Sequence, residues 1–266
     1  MDAESSASEL PRERRGGNIA APHIQKLRRE DIADFSAREK AELSTLLSIL
    51  LTRTPLYRQM VNSLMAQLHR ISAKKMLREE HGIEELVESN VRLGGDRIEV
   101  EKARDAMQAL VDGSVVLEQR SNAWNIKQMF INAEKYDALF VRMRWNLLEA
   151  PDEQPFITSD NPVLMVDPAR AQARSPKEYR APSFASQLQF PISPKYLLLG
   201  SFRGPNQRVQ LVRTALVREF NGNMLKHAHK EAYASYRSDA LQRALDRRAR
   251  EREPLIPTLP DDVLDE

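Results

Sequence analysis

Ala138-Leu139-Phe140-Val141-Arg142-Met143-Arg144-Trp145-Asn146-Leu147 is the stretch on which the fold turns, because the spacing of apolar residues changes there from near four to two. Upstream, apolar residues recur at helical intervals. Within the stretch Leu139, Val141, Met143, Trp145 and Leu147 alternate with Phe140, Arg142, Arg144 and Asn146, the period of a strand. The change predicts an α+β chain, with a helical part over residues 35–136 and a mostly antiparallel sheet from residue 138 onward.

Downstream, Pro151-Asp152-Glu153 reads as a turn, and Phe156-Ile157 and Val163-Leu164-Met165-Val166 read as extended segments. Between them lies Thr158-Ser159-Asp160-Asn161-Pro162. The Asn-Pro step biases Asn161 away from the helical region, so the strand stops there and presents three polar side chains at its end. Residues 170–186 read as a polar loop, and 196–200 and 208–213 as further strands. A long helix over 215–250, laced by the i, i+4 pairs Asp239 with Arg243 and Asp246 with Arg250, is expected to cover the sheet. Pro254, Pro257 and Pro260 prevent its continuation, so residues 251–266 are expected to form a flexible tail.

On the upstream side, residues 1–34 are rich in Ser, Glu, Arg and Gly and are expected to be a disordered tail. Ser36-Ala37-Arg38-Glu39 fits a capping box, and Leu43, Leu46, Leu47 and Leu50 form one apolar stripe behind it. Thr54-Pro55 restarts a helix that runs to about Lys75. Shorter helices are expected around Ile83, over 98–117 and over 124–133, all within one domain spanning 35–250.

Composition excludes several classes of chemistry. The 266 residues contain no cysteine, which removes disulfides, thiolate nucleophiles and thiolate metal sites, and fits a reducing cytoplasm. Forty Lys and Arg against 38 Asp and Glu leave a net charge of +2, with no strong nucleic-acid signature. The apolar run 43–51 is far shorter than the roughly 20 residues a membrane span needs.

Several short motifs occur in a recognisable order: Arg53-Thr54-Pro55-Leu56-Tyr57-Arg58, Trp145-Asn146-Leu147-Leu148, Phe156 to Val163, Phe190-Pro191-Ile192-Ser193-Pro194, and Asn221 seven residues before Ala228. Together they resemble the bacterial family catalogued as domain of unknown function 4238. The resemblance implies an intracellular bacterial protein and supports the strand assignments, but it carries no established reaction. Members commonly begin with His-x-x-Pro and an apolar, aromatic-rich strand. Here the first 35 residues contain only Pro22-His23-Ile24-Gln25, so the expectation is a chain in which that segment is truncated or replaced.

Asp160 is the carboxylate best placed for a chemical role, as a divalent-metal ligand or general base, with Thr158, Ser159 and Asn161 as hydrogen-bonding neighbours. The same residues also suit an Asx turn that satisfies backbone donors. Asn221 shares a helix face with Val217, Met224, Leu225 and Ala228, which predicts a buried amide able to reach the Asp160 turn. Arg53, at a helix break, could clamp an anion or pair with Asp160. Asn223, His227 and Glu231 align at i, i+4 and i+8 and read as a solvated face. The leading functional expectation is a non-catalytic or degenerate protein that binds a ligand or partner. The alternative is a hydrolase, a metal-dependent nuclease among the options, using Asp160.

Overall fold

The computed structural model describes residues 17–115, 122–168 and 185–250. Its helices are α1 (Gly17–Arg28), α2 (Ala37–Thr52), α3 (Pro55–Arg78), α4 (Gly82–Arg92), α5 (Val100–Asp112), α6 (Asn122–Arg142), α7 (Thr214–His227) and α8 (Asp239–Arg250). The strands are β1 (Arg144–Glu149), β2 (Thr158–Ser159), β3 (Leu164–Val166), β4 (Gln187–Pro191), β5 (Tyr196–Ser201), β6 (Val209–Leu211) and β7 (Ala232–Tyr233). The fold is α+β. The expected tails at 1–16 and 251–266, and most of the expected loop at 170–186, lie outside the described residues.

β1 is the axis of the molecule. Five strands hydrogen-bond in the order β3-β4-β5-β1-β6, all antiparallel except the β1 and β6 pair. Trp145 and Leu147 face α2 and α6 in a core with Leu43, Leu47, Phe140 and Leu198, while Leu148 turns to the opposite face and packs on Phe156, Val217 and Phe220. The sheet therefore has helices on both sides, with α7 covering the second face. Both faces of β1 are buried, so the side opposite Trp145 that the alternation left polar is closed as well.

The buried amide of Asn146 explains the parallel pair. Its Nδ2 donates to Pro205 O at 3.0 Å and its Oδ1 accepts the Arg208 N–H at 3.3 Å, while Asn206 Oδ1 accepts the Trp145 N–H at 3.0 Å. These bonds fasten the 202–208 turn across the start of β1, so β6 leaves the turn running beside β1 in the same direction. Gly204, at φ +91°, supplies the left-handed backbone that this turn requires.

Three expectations change. Residues 17–34, assigned to a tail, form α1 and its following turn, with Leu27 and Ile32 in the main core beside Phe35. Composition concealed this because several charges around those anchors are engaged: His23 Nε2 meets Glu42 at 2.7 Å, Lys26 donates to Glu39, and the Tyr196 hydroxyl donates to Glu30. Residues 138–142, assigned to a strand, are the last turns of α6. Ala133 and Phe140, two turns apart, form its buried face, and the apparent alternation leaves Val141 exposed. Finally, the single helix over 215–250 is two helices, because residues 228–238 are drawn off into β7 and a loop held by Asp160.

The capping box of α2 forms as its sequence dictates, with the Glu39 carboxylate accepting the Ser36 N–H at 2.8 Å. Lys26 of α1 reaches the same carboxylate at 2.9 and 3.1 Å. The Ser36 N–H, the Lys26 ammonium and the Ser36 hydroxyl together hold Glu39 down to about 2. A carboxylate whose folded value is depressed contributes stability above its unfolded value, near 4.5, and loses it as pH falls toward 2. Glu39→Gln is accordingly expected to lower the melting temperature at pH 7, with the gap from wild type closing between pH 4.5 and 2. Scanning calorimetry across that range checks the window, and a gap independent of pH would show that the ionised carboxylate is not what joins α1 to α2.

Candidate functional site

Phe156 and Ile157, both 2% exposed, lead the chain under α7 into the polar motif. The side chain of Asn221, on the inner face of α7, meets them there. Its Oδ1 accepts the Ile157 N–H at 3.1 Å and its Nδ2 donates to Pro155 O at 3.0 Å, so both ends of the buried amide are used. Asn221 thus grips the approach to the Asp160 turn rather than the turn itself.

Thr158 and Ser159 form β2, pairing antiparallel with Tyr233 and Ala232 of β7. The ladder continues one step further, as the Asp160 N–H donates to Glu231 O at 3.1 Å. Beyond it the carboxylate folds over the returning chain. Asp160 Oδ1 accepts the His229 N–H at 2.8 Å, and Oδ2 accepts the N–H groups of Lys230 at 2.7 Å and Glu231 at 3.3 Å. Three consecutive amides turned toward one carboxylate cannot also continue an α-helix, which stops α7 at His227.

The remaining polar groups tighten the turn. The buried Ser159 hydroxyl donates to Asn161 O at 3.0 Å and accepts the Asn161 N–H at 3.1 Å, a local hydrogen-bonded turn that suits the residue before Pro162. Asn161 Nδ2 reaches His227 O at 3.4 Å, at the end of α7. Its Oδ1 is buried without a protein partner among the described residues. Beside the clasp the Tyr233 hydroxyl donates to Glu231. That hydrogen bond, then burial, then the negative charges of Glu231 and Asp160 push Tyr233 above the ordinary tyrosine value.

Arg53 belongs elsewhere. It is exposed at the C-terminus of α2, and no ion pair joins it to Asp160. Its neighbour Thr54 shapes that corner: buried, it donates to Leu51 O at 3.1 Å and accepts the Tyr57 N–H at 3.2 Å, capping α3, with Pro55 at the first helical position. The Tyr57 ring then stands edge-on to Tyr136 of α6 with centroids 6.0 Å apart. The structure thus brings Thr158, Ser159, Asp160 and Asn161 together, with Asn221 just upstream, and separates Arg53 from them.

One buried contact runs against the sequence reading. Asn223, assigned to a solvated face, is 9% exposed and donates to the Gln189 side chain at 3.3 Å, tying α7 to β4. Glu231 lies beyond the end of that helix altogether. The available signal was the spacing of Asn223 beside Phe220 and Met224, both buried on α7. Among the described residues no three His, Asp or Glu side chains gather to hold a metal ion, and no helix is long and apolar enough to cross a membrane.

No curated protein and no solved structure matches this chain. A family model described as "Protein of unknown function (DUF4238)" matches residues 17–238, from the start of α1 through the loop that Asp160 holds, and the chain belongs to that family.

Proposed function

We propose that this chain is a non-catalytic protein that binds a ligand or partner, and that its Thr158 to Pro162 segment is an architectural clasp. The observation that carries this reading is the occupancy of Asp160, whose two carboxylate oxygens accept three backbone N–H groups. A general base or metal ligand needs a lone pair directed at water, substrate or cation. Here three of the carboxylate's four acceptor directions are taken by the N–H groups of residues 229–231, and the neighbouring Ser159 hydroxyl and Asn161 Nδ2 are engaged with the backbone.

Replacing Asp160 with asparagine puts an amide NH2 against a backbone donor and removes the charge that strengthens the remaining bonds. The expected loss is about 2 kcal/mol, or a fall in melting temperature of roughly 4–8 °C for a chain of this size. Thermal unfolding of wild type and Asp160→Asn, run beside a manganese titration by calorimetry and a nuclease and esterase screen, separates the two readings. The clasp predicts lower stability, no saturable metal heat and no activity that depends on Asp160. A variant as stable as wild type that loses a measured hydrolysis would instead make Asp160 catalytic.

A further inference from the structure

β6 closes one edge of the five-stranded sheet, and only its inner side is used. Its register beside β1 sets Leu147 against Val209, Leu148 against Gln210 and Glu149 against Leu211. In a parallel pair every second residue turns its N–H and C=O to the neighbouring strand. Arg208 O accepts the Leu147 N–H at 2.8 Å and the Val212 N–H donates to Glu149 O at 2.9 Å, so residues 208, 210 and 212 are the ones that face β1. Val209 and Leu211 therefore direct their N–H and C=O groups away from the sheet. Among the described residues neither of them has a hydrogen-bond partner.

Their side chains are uncovered too. Val209 is 36% exposed and Leu211 67% exposed, on the face of the sheet that carries Leu147. At the opposite edge, by contrast, Leu164 and Val166 of β3 are buried against Met224 of α7. Free edges are normally kept from pairing by a lysine, a proline or another charge within the strand. Val209-Gln210-Leu211 contains none of these, and only its short length limits it.

The extended segment that fits this edge is its own copy. A two-fold axis through Gln210 sets Val209 opposite Leu211 of the second copy, and the reverse. These are the residues with outward N–H and C=O groups, so each pair exchanges both of its N–H···O bonds. On one face the two apolar side chains of each pair meet, and on the other Gln210 stands opposite itself, where two amides can each donate and accept. Charge does not oppose the match. Arg208 falls opposite Val212 of the second copy and Arg213 opposite Gln207, so no two like charges stand directly across from each other.

We propose that β6 is a dimerisation edge, at which two copies of this chain join their sheets into one. The contact is small beside a standard interface, so the dimer is weak, with a dissociation constant of about 100 μM. The edge stands apart from the Asp160 clasp, and its pairing is the same whether that carboxylate is architectural or catalytic.

Sedimentation velocity of the full chain from about 10 to about 500 μM reads the association, and hydrogen exchange followed by NMR reads the edge. Dimer is expected to grow through that range. The Val209 and Leu211 amides, fast in dilute protein, are expected to slow with it, while those of Gln210 and Val212, already bonded to β1, stay protected throughout. Leu211→Lys, at an exposed position across from Glu149, places a cation on the edge and is expected to weaken the dimer about tenfold or more. Leu93→Lys, at a leucine 86% exposed after α4, is expected to leave it unchanged. A chain that stays monomeric with both edge amides fast overturns the proposal. Slow exchange of both amides in monomeric protein overturns it as well, since another segment of the same chain would then cover the edge. So does a dimer that leaves the two amides fast or survives Leu211→Lys, which would join elsewhere, and so does equal weakening by Leu93→Lys, which would mean unspecific apolar association.

Discussion

Replacing Trp145 with alanine is expected to lower the stability of this protein by about 4 kcal/mol, in the range found for large-to-small changes at buried aromatic residues. The indole is 1% exposed at the point where the turn after α1, helices α2 and α6 and strand β1 converge. The Phe35 ring lies 6.3 Å away by centroids. Its Nε1–H donates to Phe140 O at 3.1 Å, satisfying a carbonyl in the last turn of α6. On its other side the Lys40 ammonium lies 5.4 Å from the ring and donates to Met143 O at 2.5 Å, and burial holds that lysine below its ordinary value. Truncation thus leaves a cavity, a carbonyl that keeps only the Met143 N–H of its two donors, and a half-buried cation without its aromatic face. Urea denaturation gives the loss directly. Trp145→Phe keeps most of the volume but not the N–H, so about 2 kcal/mol is expected there. An alanine variant within 1 kcal/mol of wild type would mean that the indole is not the junction of these elements.

The same residue shows how far the sequence could be read. Trp145 and Leu147 were legible as core because a strand alternates its faces, and the helical half was legible from the Ser36 and Thr54 caps, which form as their residue types require. What alternation could not reveal was the boundary. Leu139 and Val141 fit period two, yet they belong to α6, whose register is fixed by contact of Phe140 with the α2 core. A short window holds both periods, and only the tertiary partner decides between them. The tail assignment failed for a related reason. Lys26, Glu30 and His23 look like solvent-facing charges in one dimension, and each finds a partner 13 to 166 residues away.

The motif region divides the same way. That Asp160 would end a strand followed from the Asn-Pro step, and burial of Asn221 followed from its helix face. The partner of Asp160 could not be foreseen, because residues 229–231 continue a plausible helical pattern and leave it only when the carboxylate takes their N–H groups. Local propensity favoured one long helix, and a non-local charge-assisted contact divides it.

Asn221→Ala is expected to cost about 3 kcal/mol, because it strands two backbone groups at once. Ile157 N–H loses its acceptor at a residue 2% exposed, and Pro155 O loses its donor beneath α7. Asn221→Asp distinguishes lost volume from lost bonding: the carboxylate can still accept from Ile157, but it cannot donate to Pro155 O and sets two acceptors face to face. It should therefore be at least as unstable as the alanine variant at neutral pH. A melting temperature equal to wild type in either variant would count against the buried amide bridge. The decisive measurement is a double-mutant cycle with Asp160→Asn. Asn221 and Asp160 hold the same short segment, one at residues 155–157 and the other at 160, against the middle and the exit of one helix. If the segment detaches as a unit, either single change already forfeits part of what the other protects, and the double variant will be more stable than the sum of losses predicts, by more than about 0.5 kcal/mol. Strict additivity would divide the segment into two independent anchors, and it would leave Asp160 free to be altered without disturbing the grip of α7 on the sheet.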